Sequence, residues 1–290
     1  MSGFAPTWLA AREPVDARSR AASLVDSLRE RLVPQEALAA VDLGAGTGAN
    51  LRYLAPRLGG LQHWQLVDDD PGLLAAAGNL TRAWAESLGA AYTETENGFA
   101  LAGSSFESRV RLVTMNLAAD LAELVLPKSA LVTGSALLDL VSESWLRRVA
   151  ARCRDSAATV LFALTYDGRM RFQPEDAGDA YVRMLVNRHQ RTDKGFGPAL
   201  GPTAPEAAAK VFTECGYRVV REPSDWRLGP DDQQLRTMLL DGWSSAAAAL
   251  EGADHGALKR WQDRRSRELA DLGTEFLVGH EDLLALPAAV

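Results

Sequence analysis

The sequence predicts an α/β protein built on a doubly wound, mostly parallel sheet of seven strands, with N-terminal helices and helical insertions. Short apolar runs alternate with segments whose apolar residues recur at helical spacing, and strands that alternate with helices are joined by crossovers and run parallel. The first apolar run ends in "VDLGAGTG" at 41–48, which indicates a strand, a tight turn and a helix. With 290 residues and 47% hydrophobic content, the chain is long enough to bury a full core.

The individual elements follow from apolar periodicity and from the residues that end helices. The first half is predicted as helices within 8–33 that stop before Pro34, a strand at 37–44, a helix at 50–58, a strand at 63–70, a helix at 72–89, strands at 109–117 and 129–134, and a helix at 135–153. The second half is predicted as a strand at 158–166, an insertion with a helical piece at 179–187, a helix and a strand within 204–222, helices at 231–250 and 256–272, and a last strand within 274–287. Pro56 either ends the helix at 50–58 near Ala55 or kinks it.

We expect a single domain over 1–290, because no internal repeat or low-complexity linker divides the chain. Within it, 1–36 would form an N-terminal helical cap and 37–166 the cofactor-binding core. Residues 167–204 would form an insertion or lid, and 205–290 the end of the sheet with a two-helix insertion.

Composition excludes several classes of function. The net charge is −7 without a dense basic run, so nucleic acid is not expected as a partner. The two cysteines, Cys153 and Cys215, form no CxxC pair, so neither a disulfide framework nor a metal site is predicted. No apolar stretch reaches the length of a membrane helix, and the start of the chain lacks the pattern of a signal peptide. We therefore expect a cytoplasmic monomer or homodimer that acts on a small molecule.

The glycine motif places backbone N–H groups at the carboxyl end of a strand, where open parallel sheets bind ligands. Its spacing fits two cofactors. Gly44, Gly46 and Ala49 satisfy the G-x-G-x-x-G/A pattern of dinucleotide binders, and Gly44, Gly46 and Gly48 satisfy the G-x-G-x-G pattern of S-adenosylmethionine binders.

Two carboxylates bear on this choice. Asp42 lies two positions before the first glycine, where negative charge opposes a bound pyrophosphate and attracts the ammonium and sulfonium of S-adenosylmethionine. Asp68 ends the second strand and is predicted to accept hydrogen bonds from ribose hydroxyls, which both cofactors carry. Alternatively, Asp68, Asp69 and Asp70 only cap the following helix.

The sequence resembles the class I S-adenosylmethionine-dependent methyltransferases through "VDLGAGTG", "WQLVDDDPGLLAAA", "VTMNLA", "LVTGSALLDLV" and "FTECGYRVV", which occur in the family's order. The resemblance covers 39–166 and 205–220. It implies a Rossmann-like fold and S-adenosylmethionine as cofactor, with S-adenosylhomocysteine as product and no metal. Asn116 stands where the family usually has an acid that binds the adenine amine. The predicted cofactor-binding residues are Asp42, Gly44, Ala45, Gly46, Gly48, Asn50, Asp68, Asp69, Asn116, Leu117, Ser135 and Arg12.

The methyl acceptor is not identified by the sequence. If its proton must be removed, the candidate bases are Asp139, Tyr166, Asp167 and His189. Arg169, Arg171 and Arg191 could bind an acidic group of the acceptor, and Trp8 and Arg12 are candidates for contacts with the cofactor. Two alternative functions stay open: an NAD(P)-dependent oxidoreductase and a non-catalytic S-adenosylmethionine-binding protein.

Overall fold

The computed structural model describes residues 5–32, 36–271 and 273–288. Its helices are α1 (Pro6–Ser19), α2 (Ala22–Arg29), α3 (Ala49–Leu58), α4 (Pro71–Ser87), α5 (Glu143–Asp155), α6 (Asp179–Gln190), α7 (Ala204–Glu214), α8 (Gln233–Ala248) and α9 (His255–Glu268). Its strands are β1 (Leu38–Leu43), β2 (Gly60–Asp68), β3 (Ala91–Thr95), β4 (Gly98–Ala102), β5 (Phe106–Thr114), β6 (Leu131–Ser135), β7 (Thr159–Gln173), β8 (Tyr217–Pro223), β9 (Trp226–Leu228) and β10 (Glu275–Pro287).

The strands form one sheet in the order β3-β4-β5-β2-β1-β6-β7-β10-β8, with β9 paired to β10. Strands β5, β2, β1, β6 and β7 are parallel, and β10 runs antiparallel to both β7 and β8. These seven strands confirm the predicted mostly parallel, seven-stranded α/β core. The chain winds outward from β1 in both directions, so the order reverses between β1 and β6, and the carboxyl ends of these two strands flank the crevice where such sheets bind ligands.

The fifth strand of the core is longer than predicted. The sequence placed its end at Tyr166 and the start of an insertion at Asp167, but β7 continues to Gln173 because β10 pairs with it from Val160 to Gln173. This pairing joins residues more than 100 positions apart, so a local sequence pattern does not reveal it. The charged residues of "DGRMRFQ" also do not resemble a buried strand. The insertion therefore begins after Gln173.

The predicted helix at 135–153 is also wrong in its first part. Residues 138–140 form a turn, and α5 begins at Glu143 after Ser142, whose hydroxyl accepts a hydrogen bond from the Trp145 N–H. A serine at this position satisfies one of the free N–H groups of the first turn. The apolar residues before it belong to the loop that follows β6, and that loop lines the candidate site.

Two further differences concern turns and proline. Helix α3 continues through Pro56 to Leu58 and does not end near Ala55. The hairpin of β3 and β4 was not predicted, although its "ENG" turn is a hairpin signal; Gly98 there has a φ of 157°, and a Cβ would lie 2.0 Å from the Val110 carbonyl oxygen. The predicted stop at Pro34 and the helix end at Leu272 lie outside the described residues.

The core lies on both faces of the sheet and under the C-terminal helices. One buried cluster packs α5 and α7 on the sheet, a second packs α2, α3 and α4, and a third packs α6, α8 and α9 around the far part of β7 and β10. Trp64 and Trp145 are buried to about 1% exposure or less, and Trp84 is half-buried. None of the described helices is long and apolar enough to cross a membrane.

Candidate active site

The glycine turn after β1 has the backbone that only glycine adopts without strain. Gly44, Gly46 and Gly48 have φ values of 65°, 52° and 79°, a left-handed conformation that costs other residues energy through their Cβ. Ala45 donates its N–H to the Val67 carbonyl at 3.0 Å, which ties the turn to the end of β2. Helix α3 starts directly after Gly48, so its free N–H groups also face this end of the sheet.

Asp68 links the glycine turn to the start of α4. One carboxylate oxygen accepts from the Gly46 N–H at 2.7 Å and the other from the Asp70 N–H at 3.0 Å. Its exposed fraction is 8%, and burial raises its pKa. Asp70, by contrast, caps α4 through Gly72 and Leu73, so the capping alternative holds for Asp70, while Asp68 faces the cleft.

A cleft of about 310 Å³ lies at the switch point between β1 and β6. Its walls come from the glycine turn, the end of β2, the loop after β6 and one face of α1; they are formed by Leu9, Arg12, Gly44, Gly46, Asp68, Asp69, Asp70, Pro71, Leu73, Ser135, Ala136, Leu137 and Leu140. The cleft thus brings together six of the predicted cofactor-binding residues, namely Arg12, Gly44, Gly46, Asp68, Asp69 and Ser135. Three carboxylates and one guanidinium line this space, so the cleft carries net negative charge.

Asp42 and Asn50 lie behind the cleft in a buried polar network. Asp42 has no exposed surface. Its Oδ1 accepts from the Asn50 side chain at 2.7 Å, and its Oδ2 has no partner within the described part of the chain. Burial raises the pKa of Asp42 to about 7. Asn50 also donates to the Thr133 hydroxyl and accepts from Arg20 at 2.6 Å. Their contact with a cofactor, direct or through water, stays a prediction.

Arg20 was missed by the sequence analysis. Its guanidinium is buried, lies 4.2 Å from the Tyr53 ring and lines a pocket of about 160 Å³ that shares Ser135 with the cleft. Its Nε and Nη2 atoms have no hydrogen-bond partner among the residues that the structure describes, and native proteins rarely leave buried polar groups unpaired. Nothing in "DARSRAASL" distinguishes Arg20 from its neighbouring arginines, because only the docking of α1 and α2 buries it.

The remaining predicted cofactor residues do not line the cleft. Ala45 and Gly48 are buried within the turn. Asn116 is exposed after β5, and its side-chain oxygen accepts from the N–H groups of Ala118 and Ala119. Leu117 is 4% exposed and packs in the core. Asn116 therefore shapes its own loop, and its adenine contact stays a prediction.

A second, larger cavity of about 840 Å³ lies on the other side of Leu140, which lines both spaces. We call it the acceptor-side cavity. It is lined by Ala5, Trp8, Leu140, Val186, His189, Gln190, Thr192, Asp193, Lys194, Gly195, Met238, Leu239, Gly242, Trp243 and Ala246. Helix α1 contributes to both spaces, with Trp8 in the acceptor-side cavity and Leu9 and Arg12 in the cleft.

Of the four candidate bases, only His189 lines the acceptor-side cavity. Its pKa is lowered by burial and by the nearby Lys194 ammonium, so the imidazole is neutral at neutral pH. Asp139 precedes Leu140 in the chain and is 7% exposed. Its Oδ1 has no hydrogen-bond partner in the described ranges, and burial raises its pKa to about 6.

The other two candidate bases are engaged elsewhere. Tyr166 donates to Asn187 at 2.7 Å and packs against His280, and burial raises its pKa. Asp167 pairs with Arg169, which also pairs with Asp225. The predicted cluster of Arg169, Arg171 and Arg191 does not line the cavity.

Arg12 is held in place by two contacts. Its Nε donates to Asp16 at 2.8 Å, and its guanidinium lies 5.1 Å from the Trp226 ring centre. Trp8 lies 6.4 Å from the same ring. The described residues contain no group of three or more His, Cys, Asp or Glu side chains placed to hold a metal ion.

Comparison with solved structures finds similar folds at low identity. A cyclopropane synthase from Mycobacterium tuberculosis has 12% identity, a TM-score of 0.44, and coverage of 91% of this chain and 83% of that one. The phosphoethanolamine N-methyltransferase 2 of Haemonchus contortus, in complex with phosphomonomethylethanolamine and S-adenosylhomocysteine, has 15% identity, a TM-score of 0.43 and coverage of 92% and 53%. The YcgJ protein of Bacillus subtilis has 10% identity, a TM-score of 0.46 and coverage of 93% and 100%.

No family model and no curated protein matches the chain. TM-scores below 0.5 at these identities establish neither a substrate nor a reaction, so function has to be inferred from the cleft and the cavity.

Proposed function

We propose that the chain is a class I S-adenosylmethionine-dependent methyltransferase that transfers a methyl group to a small-molecule acceptor. The observation that carries this proposal is the net negative cleft at the switch point of the sheet, lined by Gly44, Gly46 and Asp68. A dinucleotide would place its pyrophosphate among three carboxylates, which repel it, whereas an ammonium and a sulfonium are attracted. The same electrostatics argue against the nicotinamide alternative.

The residues present fit this cofactor at both ends. The Asp68 carboxylate would accept hydrogen bonds from ribose hydroxyls, beside the glycines that let a ligand approach the backbone. The Arg20 guanidinium, which lines the pocket that shares Ser135 with the cleft, would hold the carboxylate of the methionine part, because a planar guanidinium matches a carboxylate with two parallel hydrogen bonds. Arg12 offers a second guanidinium at the mouth of the cleft.

S-adenosylmethionine, when bound, supplies a sulfonium methyl group open to in-line attack by the acceptor, with the electrons of the broken C–S bond left on sulfur. The chain contributes mainly alignment, which can supply roughly 7–11 kcal/mol of the barrier. Helix α1 contributes Leu9 and Arg12 to the wall of the cleft. On the acceptor side, neutral His189 would take a proton from a hydroxyl or ammonium, with Asp139 as the second candidate.

The first test is calorimetric titration with S-adenosylhomocysteine, and with NADH at the same concentrations. Wild-type protein is expected to bind the former and not the latter. Asp68→Asn keeps one carbonyl oxygen for the backbone but loses the charge, so affinity should fall by about 1.5–3 kcal/mol. Glu107→Gln is the matched control. Glu107 is exposed near the start of β5, the end of that strand away from Asp68, and this variant should bind normally.

The second test is turnover of methyl-labelled S-adenosylmethionine with a small-molecule extract, with the product identified by mass. Binding without any labelled product across such extracts favours the non-catalytic binder. NADH binding without S-adenosylhomocysteine binding revives the oxidoreductase and overturns the proposal.

A further inference from the structure

The acceptor-side cavity has an apolar end and a polar end. Trp8 of α1, Val186 of α6, and Met238, Leu239 and Trp243 of α8 give the apolar walls. The polar groups all belong to the last turn of α6 and the loop that follows it, between His189 and Gly195. A volume of about 840 Å³ is within the range that holds a drug-sized molecule, so the cavity suits a compound with an apolar body and one polar end.

The charge at the polar end is a partly buried ammonium without a counter-ion. Lys194 Nζ donates to the His189 carbonyl at 3.1 Å and to the Thr192 hydroxyl at 3.0 Å, and lies 3.4 Å from His189 Nδ1. Among the described residues no carboxylate lies within ion-pair distance of it.

Asp193 also lines the cavity and could be expected to neutralise this ammonium. Its Oδ1 accepts from the Gly195 N–H at 2.7 Å and the Gly197 N–H at 3.0 Å, so the carboxylate organises the loop. The neighbouring His189 is uncharged at neutral pH. This ammonium lies beside apolar walls and has only neutral hydrogen-bond acceptors. An anionic group of a ligand would therefore supply its missing counter-ion.

We infer that the acceptor is a small apolar carboxylate, bound in the acceptor-side cavity with its charged group at Lys194. This inference rests on the proposed function, because it takes this cavity as the place of the methyl acceptor. The apolar body would pack between Trp8 and Trp243, on the side of Leu140 away from the cleft. The polar end would then bring the acid within reach of both Lys194 and His189.

The test compares two probes of nearly equal shape, 2-naphthoate and its neutral amide, 2-naphthamide, by calorimetry with S-adenosylhomocysteine present. Wild-type protein is expected to prefer the carboxylate by about tenfold or more, the effect of one charge-assisted hydrogen bond. Lys194→Met keeps an apolar side chain of similar length and should remove the preference without weakening the amide. Lys194→Arg should restore it.

Lys210→Met is the matched control, because Lys210 is exposed on α7, and it should leave the preference unchanged. Equal binding of the two probes by wild type, no binding of either, or a preference that survives in Lys194→Met would overturn the inference. Each variant is also titrated with S-adenosylhomocysteine alone. Normal binding there with a lost carboxylate preference separates the acceptor site from the cofactor site, and failure there in wild type counts against the proposed function.

Discussion

The cofactor cleft and the acceptor-side cavity are built in different ways. The cleft is assembled mainly from residues next to strand ends, with Gly44 and Gly46 after β1, Asp68 at the end of β2 and Ser135 at the end of β6, while α1 adds Leu9 and Arg12. The cavity is assembled from α1, the turn before α5, α6 and α8, elements separated by more than 200 positions. A ligand site at a switch point is therefore set largely by the short segments that end the strands. A site between inserted helices depends instead on how those helices dock.

We also expect that a change among the C-terminal helices lowers the stability of the protein without weakening cofactor binding in the cleft. Arg265 of α9 has no exposed side-chain surface and pairs with Asp179 at 2.5 Å and Glu268 at 2.7 Å, and it donates to the Pro174 carbonyl. We expect Arg265→Met to lower the free energy of unfolding by about 3–5 kcal/mol, because carboxylates that are largely buried lose their partner. Urea unfolding measures this.

Arg267→Met, on the exposed side of the same helix, should change stability by less than about 0.5 kcal/mol. If the two regions are separate, Arg265→Met should still bind S-adenosylhomocysteine normally in folded protein. A loss of cofactor affinity as large as the loss of stability would contradict that separation.

The buried acid behind the cleft predicts a pH dependence. Burial raises the pKa of Asp42 from 3.8 to about 7, so the folded state holds a proton that the unfolded chain releases between these values. This group therefore makes stability fall as pH rises from about 4 to about 7. At about 1.4 kcal/mol for each unit, the rise to about 7 corresponds to an effect of up to about 4 kcal/mol.

Asp42→Asn should remove this part of the slope, seen in urea unfolding between pH 4.5 and 8. Asp139, with its pKa raised to about 6, acts in the same direction as Asp42. His280, with its pKa lowered to about 3 by burial, acts in the opposite direction below pH 6.5. The difference in pH slope between wild type and Asp42→Asn gives the contribution of Asp42 alone. Asp231→Asn, at an exposed position, serves as the control. Parallel curves for wild type and Asp42→Asn would contradict the assignment.

The smallest expected effect distinguishes the amino acid end of the cofactor site from its adenosine end. Arg20→Met should weaken S-adenosylhomocysteine by about 1.5–3 kcal/mol, because a charge-assisted pair to the ligand carboxylate is lost. It should leave 5′-methylthioadenosine unaffected, since that compound lacks the amino acid part. Calorimetry with both ligands measures the difference.

Arg57→Met is the matched control for Arg20→Met, because Arg57 lines the same pocket but is exposed and donates to the Tyr53 carbonyl. An equal loss for both ligands in Arg20→Met would mean that the arginine only supports the fold around Asn50.

The sequence predicted the parts of the fold that depend on local pattern. The alternation of apolar strands and amphipathic helices gave the mostly parallel core, and the glycines and Asp68 gave the position of the cleft. The hairpin of β3 and β4 was missed because its strands are short, with five residues each. The extension of β7 to Gln173 was missed because its partner β10 lies 100 residues later and its exposed face is charged.

The sequence alone was enough to predict the glycine turn and the strand-end carboxylate Asp68, because each depends on residues within a few positions of one another. It assigned the charge that selects the cofactor to Asp42, which does not line the cleft. Long-range packing decided the rest: it buries Arg20 beside Asn50, places Asp42 behind the cleft, and sets Lys194 at the polar end of the cavity with no carboxylate of the described residues within ion-pair distance. These properties arise from burial, and burial depends on which distant helix covers a side chain.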